Sequence, residues 1–146
     1  MSTTTTTTTY PTATSFDVWA PRALAALRIM AGLLFIEHGT QKLFGFPIAP
    51  ASGLPAALSM LWIGAVLESV GGLLIVLGLF TRPVAFLLAG EMAVAYFMFH
   101  APRGFFPIVN AGEGAILYCF IFLYLAAAGA GAWSLDGARR LSTLRH

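Results

Sequence analysis

Four apolar runs at residues 23–44, 57–80, 83–100 and 111–132, separated by breaks that carry Gly, Pro or Arg, decide what this chain can fold into. A helix crossing the hydrocarbon core of a bilayer needs about 20 mostly apolar residues. In lipid every backbone N–H and C=O must be paired within the protein, which such runs achieve as helices. The breaks suit that reading: Pro21 precedes the first run, Gly45 and Pro47 follow it, and Pro83 stands in the first turn of the third. The third run is the shortest, so it is little tilted or dips to an interface. Short connections make neighbouring helices antiparallel. The expected fold is therefore an all-α membrane protein, a four-transmembrane-helix up-down bundle.

Composition agrees, with 58% hydrophobic residues, 10% charged residues and a mean hydropathy of +0.82. The spans leave no room for a separate soluble domain. Residues 1–20, opening MSTTTTTTTY, read as a Thr-rich disordered tail without the basic and apolar regions of a signal peptide. Residues 21–136 form one membrane domain, and 137–146 a basic cytoplasmic tail. Six acids and eight bases are too few and too scattered for a nucleic-acid footprint. Cys119 is the only cysteine, which excludes an intramolecular disulfide, a CxxC redox pair and a thiolate metal cage. Arg22, Arg82, Arg139, Arg140 and Arg145 fall on the side of both termini, against Lys42 and Arg103 on the other. That bias predicts cytoplasmic termini, with Trp19 and Trp133 near the inner boundary and Trp62 near the outer one.

Polar residues inside the spans carry the functional signal. Each span holds or begins with one glutamate, Glu37, Glu68, Glu91 and Glu113, although an ionised carboxylate at the bilayer centre costs at least ~2.5 to 3.5 kcal/mol. The stretch FIEHGTQKLFG, residues 35–45, adds His38, Gln41 and Lys42 beside Glu37. At 100° per residue these groups, with Arg28, spread over about half of helix one. Helix two answers with a small-residue stripe, Gly64, Gly71 and Gly72, around Glu68. The expected pocket is lined by helices one and two. Arg28 and Glu91 are expected to form a buried structural ion pair. Asn110 and Glu113 have capping-box spacing. His100, at a helix end, either bonds the last carbonyls or joins the site. Cys119, Tyr118 and Tyr124 read as packing residues.

A di-metal carboxylate centre in a four-helix bundle wants Glu-x-x-His on two helices, and that spacing does not occur, so no metal is assigned. Haem would need His38 and His100 to face one another across the bundle. A lipid-soluble quinone asks only for an apolar slot, a few donors and acceptors, and a titratable group to exchange protons. In that reading Glu68 and His38 are the catalytic pair handling protons, while Glu37, Gln41, Lys42 and His100 contact the substrate. Electrons then come from a soluble or membrane redox partner or a small reductant. The competing reading is a non-catalytic membrane scaffold, or a small-solute or proton transport element, whose buried charges fix helix register. Its motivation is the Gly-rich faces of helices two and four, suited to helix contact, and a homo-oligomer stays open under either.

The segments GLLFIEHGTQKLFGF, GAVLESVGGLLIVLGLFTRPVA, EMAVAYFMFH and PIVNAGEGAILYCFIFLYLAAAGAGAWSLD occur in this order. In combination they resemble the DoxX family of small bacterial membrane proteins, over residues 23–136. The resemblance implies four spans in the bacterial cytoplasmic (inner) membrane and places His38, Lys42, Glu68 and His100 at signature positions. It also implies an association with membrane oxidoreductase systems, including a relative that is a subunit of a thiosulfate:quinone oxidoreductase. Whether the chain is itself an oxidoreductase subunit stays open between the two readings.

Overall fold

The computed structural model describes residues 15–143. The expectation of disorder in the Thr-rich tail falls mostly on residues 1–14, outside the described residues. Residues 15–20 of that segment are helical. Helix α1 runs Ser15–Phe44 with Pro21 inside it, so the helix starts eight residues before the apolar run. A proline there removes one early helix bond, and its carbonyl is put to use, accepting the amide of Ala132 at 3.0 Å.

Helix α2, Met60–Leu77, is shorter than the run that encodes it because both ends are capped. Ser59 Oγ accepts the amide of Trp62 at 3.3 Å, and Gly78 closes the helix in the left-handed region at φ 63°. Helix α3, Thr81–Ala95, continues as a π-turn, Tyr96–His100, and a 3-10 turn, Ala101–Arg103. A short helix α4, Pro107–Asn110, leads into α5, Glu113–Ala128. The fourth apolar run is thus helical over 16 residues rather than the 22 expected. It unwinds where Gly129 and Gly131 adopt φ of 92° and 68°. A final helix α6, Leu135–Thr143, covers most of the basic segment that begins at residue 137.

Among the described residues the fold is all-helical, with three helical segments long and apolar enough to cross a membrane, Ser15–Phe44, Met60–Leu77 and Thr81–Arg103. Helix α5 is apolar but shorter. At 1.5 Å per residue it extends about 24 Å, against about 30 Å for a hydrocarbon core.

Packing is by pairs. Helix α1 lies along α2 and α3 along α5, while α1 and α5 stand farther apart and meet through the rings of Phe35, His38, Tyr118 and Phe122. The α1–α2 seam is close because glycines face it: a Cβ on Gly39 would come within 2.2 Å of Ser69 Oγ, and one on Gly72 within 2.8 Å of Ile36 Cγ1. At the centre Phe35 meets Phe122 edge-on at 4.9 Å, with Ile75, Leu88 and Leu125 buried around them. Large apolar side chains such as Phe86, Phe97, Leu117 and Phe120 point outward, as expected where the solvent is lipid.

The end of the bundle that holds α6 is laced by charged side chains on backbone groups. Arg28, fully buried, donates to the carbonyls of Ile75 and Val76 at the end of α2 and to those of Ala130 and Trp133, the last two at 2.8 Å. Arg82 donates to Ala126 and Ala127 at the end of α5, at 3.1 and 2.6 Å. Asp136 accepts the amides of Phe80 and Thr81 at the start of α3, at 2.9 and 2.8 Å. Charge-assisted bonds of this kind each contribute about 1.5–3 kcal/mol and satisfy the groups that helix ends leave open.

Candidate functional site

Lys42, near the end of α1, donates to Glu68 Oε1 on α2, the only ion pair among the described residues. Glu68 is 3% exposed and its other oxygen, Oε2, has no hydrogen-bond partner. An unpaired oxygen on a buried carboxylate is costly, so this atom is a place where a donor belongs.

Glu91 shares the site. The expected pair with Arg28 does not form, because the Arg28 guanidinium is consumed by the carbonyls of α2 and the 130–133 loop. The reason is depth. Glu68 lies nine residues before the end of α2 and Glu91 ten residues after the start of α3, so in adjoining helices joined at that end they stand level. Glu91 Oε1 lies 3.2 Å from where a Cβ on Gly64 would be, one turn from Glu68, and its Oε2 is also buried without a partner.

Two cavities flank the Lys42–Glu68 pair. One, of about 310 Å³, opens between α2 and α3 and is lined by Gly64, Glu91, Phe99, His100 and Arg103 in addition to the pair. The other, of about 180 Å³, lies among α1, α3 and α5 and is lined by Phe35, His38, His100, Gly114 and Tyr118 in addition to the pair. Lys42, Glu68, Met92, Ala95 and His100 belong to both walls. Residues of helices one and two line both cavities, but the space opens toward α3 and α5, because glycines close the α1–α2 seam itself.

His100 reaches these walls through the π-turn, a wider winding that often marks functional positions. Its Nδ1 lies 3.0 Å from the Asn110 carbonyl. A carbonyl only accepts, so Nδ1 carries the proton and Nε2 remains as the ring's other polar atom. Asn110 is itself buried, its amide donating to Gly104 and its Oδ1 accepting from Gly112, both at 2.8 Å. That turn replaces the expected capping box, and Glu113 is exposed.

His38 lines the smaller cavity, its ring edge-on to Tyr118 with centroids 6.0 Å apart. Gln41 lines neither cavity; it borders a separate hollow of about 290 Å³ under the 50–55 loop, which Lys42 also lines. Glu37 is exposed and lines neither cavity. Tyr118, read from sequence as packing, also lines an apolar groove of about 270 Å³ between α1 and α5, with Leu27, Met30, Leu34, Leu117 and Ile121. Its signal was available in the spacing of Gly114, Ala115 and Tyr118, one face of α5. Among the described residues no group of three or more His, Cys, Asp or Glu could hold a metal ion.

The fold and this centre define a small helical membrane protein with a buried, partly unpaired polar cluster. The family model of DoxX matches residues 23–101, and the chain belongs to the DoxX family. An uncharacterized protein of Haemophilus influenzae is 48% identical over 126 residues, covering 84% of this chain and 94% of that one. An uncharacterized membrane protein of Mycobacterium tuberculosis is 32% identical over 138 residues, 84% of this chain and 83% of its own. The inner membrane protein YqjF of Escherichia coli is 34% identical over 121 residues, 75% and 85% of the two chains. No solved structure matches the chain.

Proposed function

We propose that this protein is a quinone-interacting component of a membrane oxidoreductase system, inserted in the inner membrane as a four-helix up-down bundle with both termini in the cytoplasm. The arginines at the α6 end support that orientation, and the relatives' names support the membrane. The carrying observation is the pair of unpaired carboxylate oxygens, Glu68 Oε2 and Glu91 Oε2, beside a cavity that also holds Lys42 and His100.

A bound quinone would supply a two-electron, two-proton couple. The donor set fits such a ring: carboxylates to take protons from hydroxyls, and an ammonium and an imidazole to meet carbonyl oxygens. In this reading Glu68, with His38 across the smaller cavity, handles protons. Lys42 and His100 orient the ring. Glu91 joins Glu68 as a second acceptor. Gln41 and Glu37 line neither cavity and have the weakest claim to substrate contact. The apolar groove between α1 and α5 shares Gly114 and Tyr118 with the smaller cavity, which would let a lipid-soluble ring enter sideways. A redox partner supplies the electrons.

The alternative, a scaffold docking partners through the Gly-rich faces of helices two and four, is disfavoured because those glycines pack inside the chain: Gly72 meets Ile36 of α1, Gly71 meets Leu88 of α3, and Gly131 meets Pro21 and Leu24 of α1. A proton or small-solute pathway keeps one observation in its favour, the two cavities separated by the Lys42–Glu68 pair. The deciding experiment is mass spectrometry of wild type and His38→Ala extracted gently into lipid discs, followed by quinone-dependent turnover with Glu68→Gln. Stoichiometric quinone lost in His38→Ala, with turnover lost in Glu68→Gln, supports the proposal. No quinone in wild type, or unchanged turnover in both variants, removes it.

A further inference from the structure

A cavity of about 430 Å³ has no part in that site. It lies at the α6 end of the bundle, between the start of α3, the loop after α5 and α6, with Phe80, Arg82, Pro83, Asp136 and Arg140 in its wall. We propose that this cavity binds the headgroup of an anionic phospholipid.

Charge is the first argument. Two arginines and one aspartate line the wall, a net charge of +1, and Arg139 adds another cation with its guanidinium 5.2 Å from the centre of the Phe80 ring. Asp136 offers little opposition, since both of its oxygens accept the amides of Phe80 and Thr81. Arg82 is anchored by the carbonyls at the end of α5, which fixes one guanidinium in place. The Arg140 side chain donates no hydrogen bond and forms no ion pair among the described residues. A fixed guanidinium opposite a free one is the chemistry that grips a phosphodiester.

Position is the second argument, and it separates a lipid from free phosphate. The wall continues onto a lipid-facing surface: Phe80 is exposed in the wall, and Phe86, one turn beyond Arg82, and Leu87 are exposed along α3. Leu135 and Leu141 are exposed on α6 next to the arginines, so α6 carries both parts of an interfacial helix. Trp19 and Trp133 are exposed on elements of the same end, and Trp sits at the headgroup level. A headgroup in the cavity would lay its acyl chains against Phe86 and Leu87.

The test is native mass spectrometry of the purified full-length protein in detergent, titrated with phosphatidylglycerol, phosphatidylcholine or inorganic phosphate. The expected result is one phosphatidylglycerol bound in preference to phosphatidylcholine. Arg140→Gln should weaken it about fivefold, the effect of one interfacial basic residue, while Arg140→Lys retains most of it. Arg22→Gln is the control, because Arg22 lies at the same end outside the cavity, its guanidinium over Trp19, and it should weaken binding less than Arg140→Gln does. Equal binding of the two lipids, no loss in Arg140→Gln, or an equal loss in Arg22→Gln would overturn the site. Displacement of the lipid by millimolar inorganic phosphate would identify a soluble ligand instead and overturn it as a lipid site.

Discussion

Lys42 on α1 and Glu68 on α2 form an ion pair whose members differ in their access to water: the lysine side chain is 30% exposed and the glutamate 4%. That asymmetry predicts unequal losses. Lys42→Met strands a buried carboxylate and should cost about 3–5 kcal/mol. Glu68→Gln leaves an ammonium that can swing outward and keeps an acceptor in place, so it should cost about 1–3 kcal/mol. The double variant should lose less than the sum. Thermal unfolding in detergent measures all three, and additive losses would show that the pair is not coupled in solution.

The glycines of α1 and α3 predict opposite outcomes for one substitution. Gly39→Ala forces a Cβ to within 2.2 Å of Ser69 Oγ and 2.7 Å of Ser69 N on α2. The backbone there cannot give way without separating the helices, so a loss of about 1–3 kcal/mol is expected. At Gly90 a new Cβ meets nothing within 4 Å, and alanine should gain up to about 1 kcal/mol from helix propensity. A melting temperature unchanged or raised by Gly39→Ala would mean that the α1–α2 seam is looser than described.

What the sequence made legible, and what it hid, follows from depth and winding. Hydropathy and breakers located the apolar helices because both act locally. Lys42, Glu68, His38 and His100 come together in the structure because each is a polar residue that lipid cannot solvate. Glu91 was misplaced because the depth of a residue on α3 depends on where the turn after α2 sits, and Gly78 ends α2 three residues before the apolar run stops. Arg28 was paired with the wrong partner because a charge search overlooks carbonyls, and the carbonyls it binds belong to helix ends whose positions were unknown. The last run was read too long because Gly-Ala-Gly-Ala keeps hydropathy high while Gly129 and Gly131 turn the backbone out of the helix. The π-turn that carries His100 to the cavities leaves no periodic trace in five residues.

Arg28 makes a strong prediction about chemistry rather than charge. Its Nε, Nη1 and Nη2 reach carbonyls on two separate segments, Ile75 and Val76 on one side and Ala130 and Trp133 on the other. Lysine retains the charge but concentrates its donors at one atom. Arg28→Lys should therefore leave buried carbonyls unmet and cost at least about 3 kcal/mol. It should also raise amide exchange in residues 130–133, read by hydrogen–deuterium exchange. A lysine variant as stable as wild type would show that charge alone suffices there.

Asp136 predicts how stability responds to acid. Burial pushes its carboxyl up, but the amides of Thr81 and Phe80 and the nearby Arg139 charge outweigh burial and hold it below the ordinary carboxylate range. The folded state therefore binds this proton less readily than the unfolded chain. By linkage, its contribution is complete above the ordinary aspartate value of about 3.9 and is lost as the pH falls through the lower folded value. Asp136→Asn should begin less stable at neutral pH by about 1 kcal/mol, the usual loss on weakening a helix cap. It should then fall less steeply than wild type as the pH drops below that of a free aspartate. The measurement is the melting temperature of both proteins in detergent across that acid range. Converging curves place the titration at Asp136, whereas parallel curves would assign the acid sensitivity to other carboxylates.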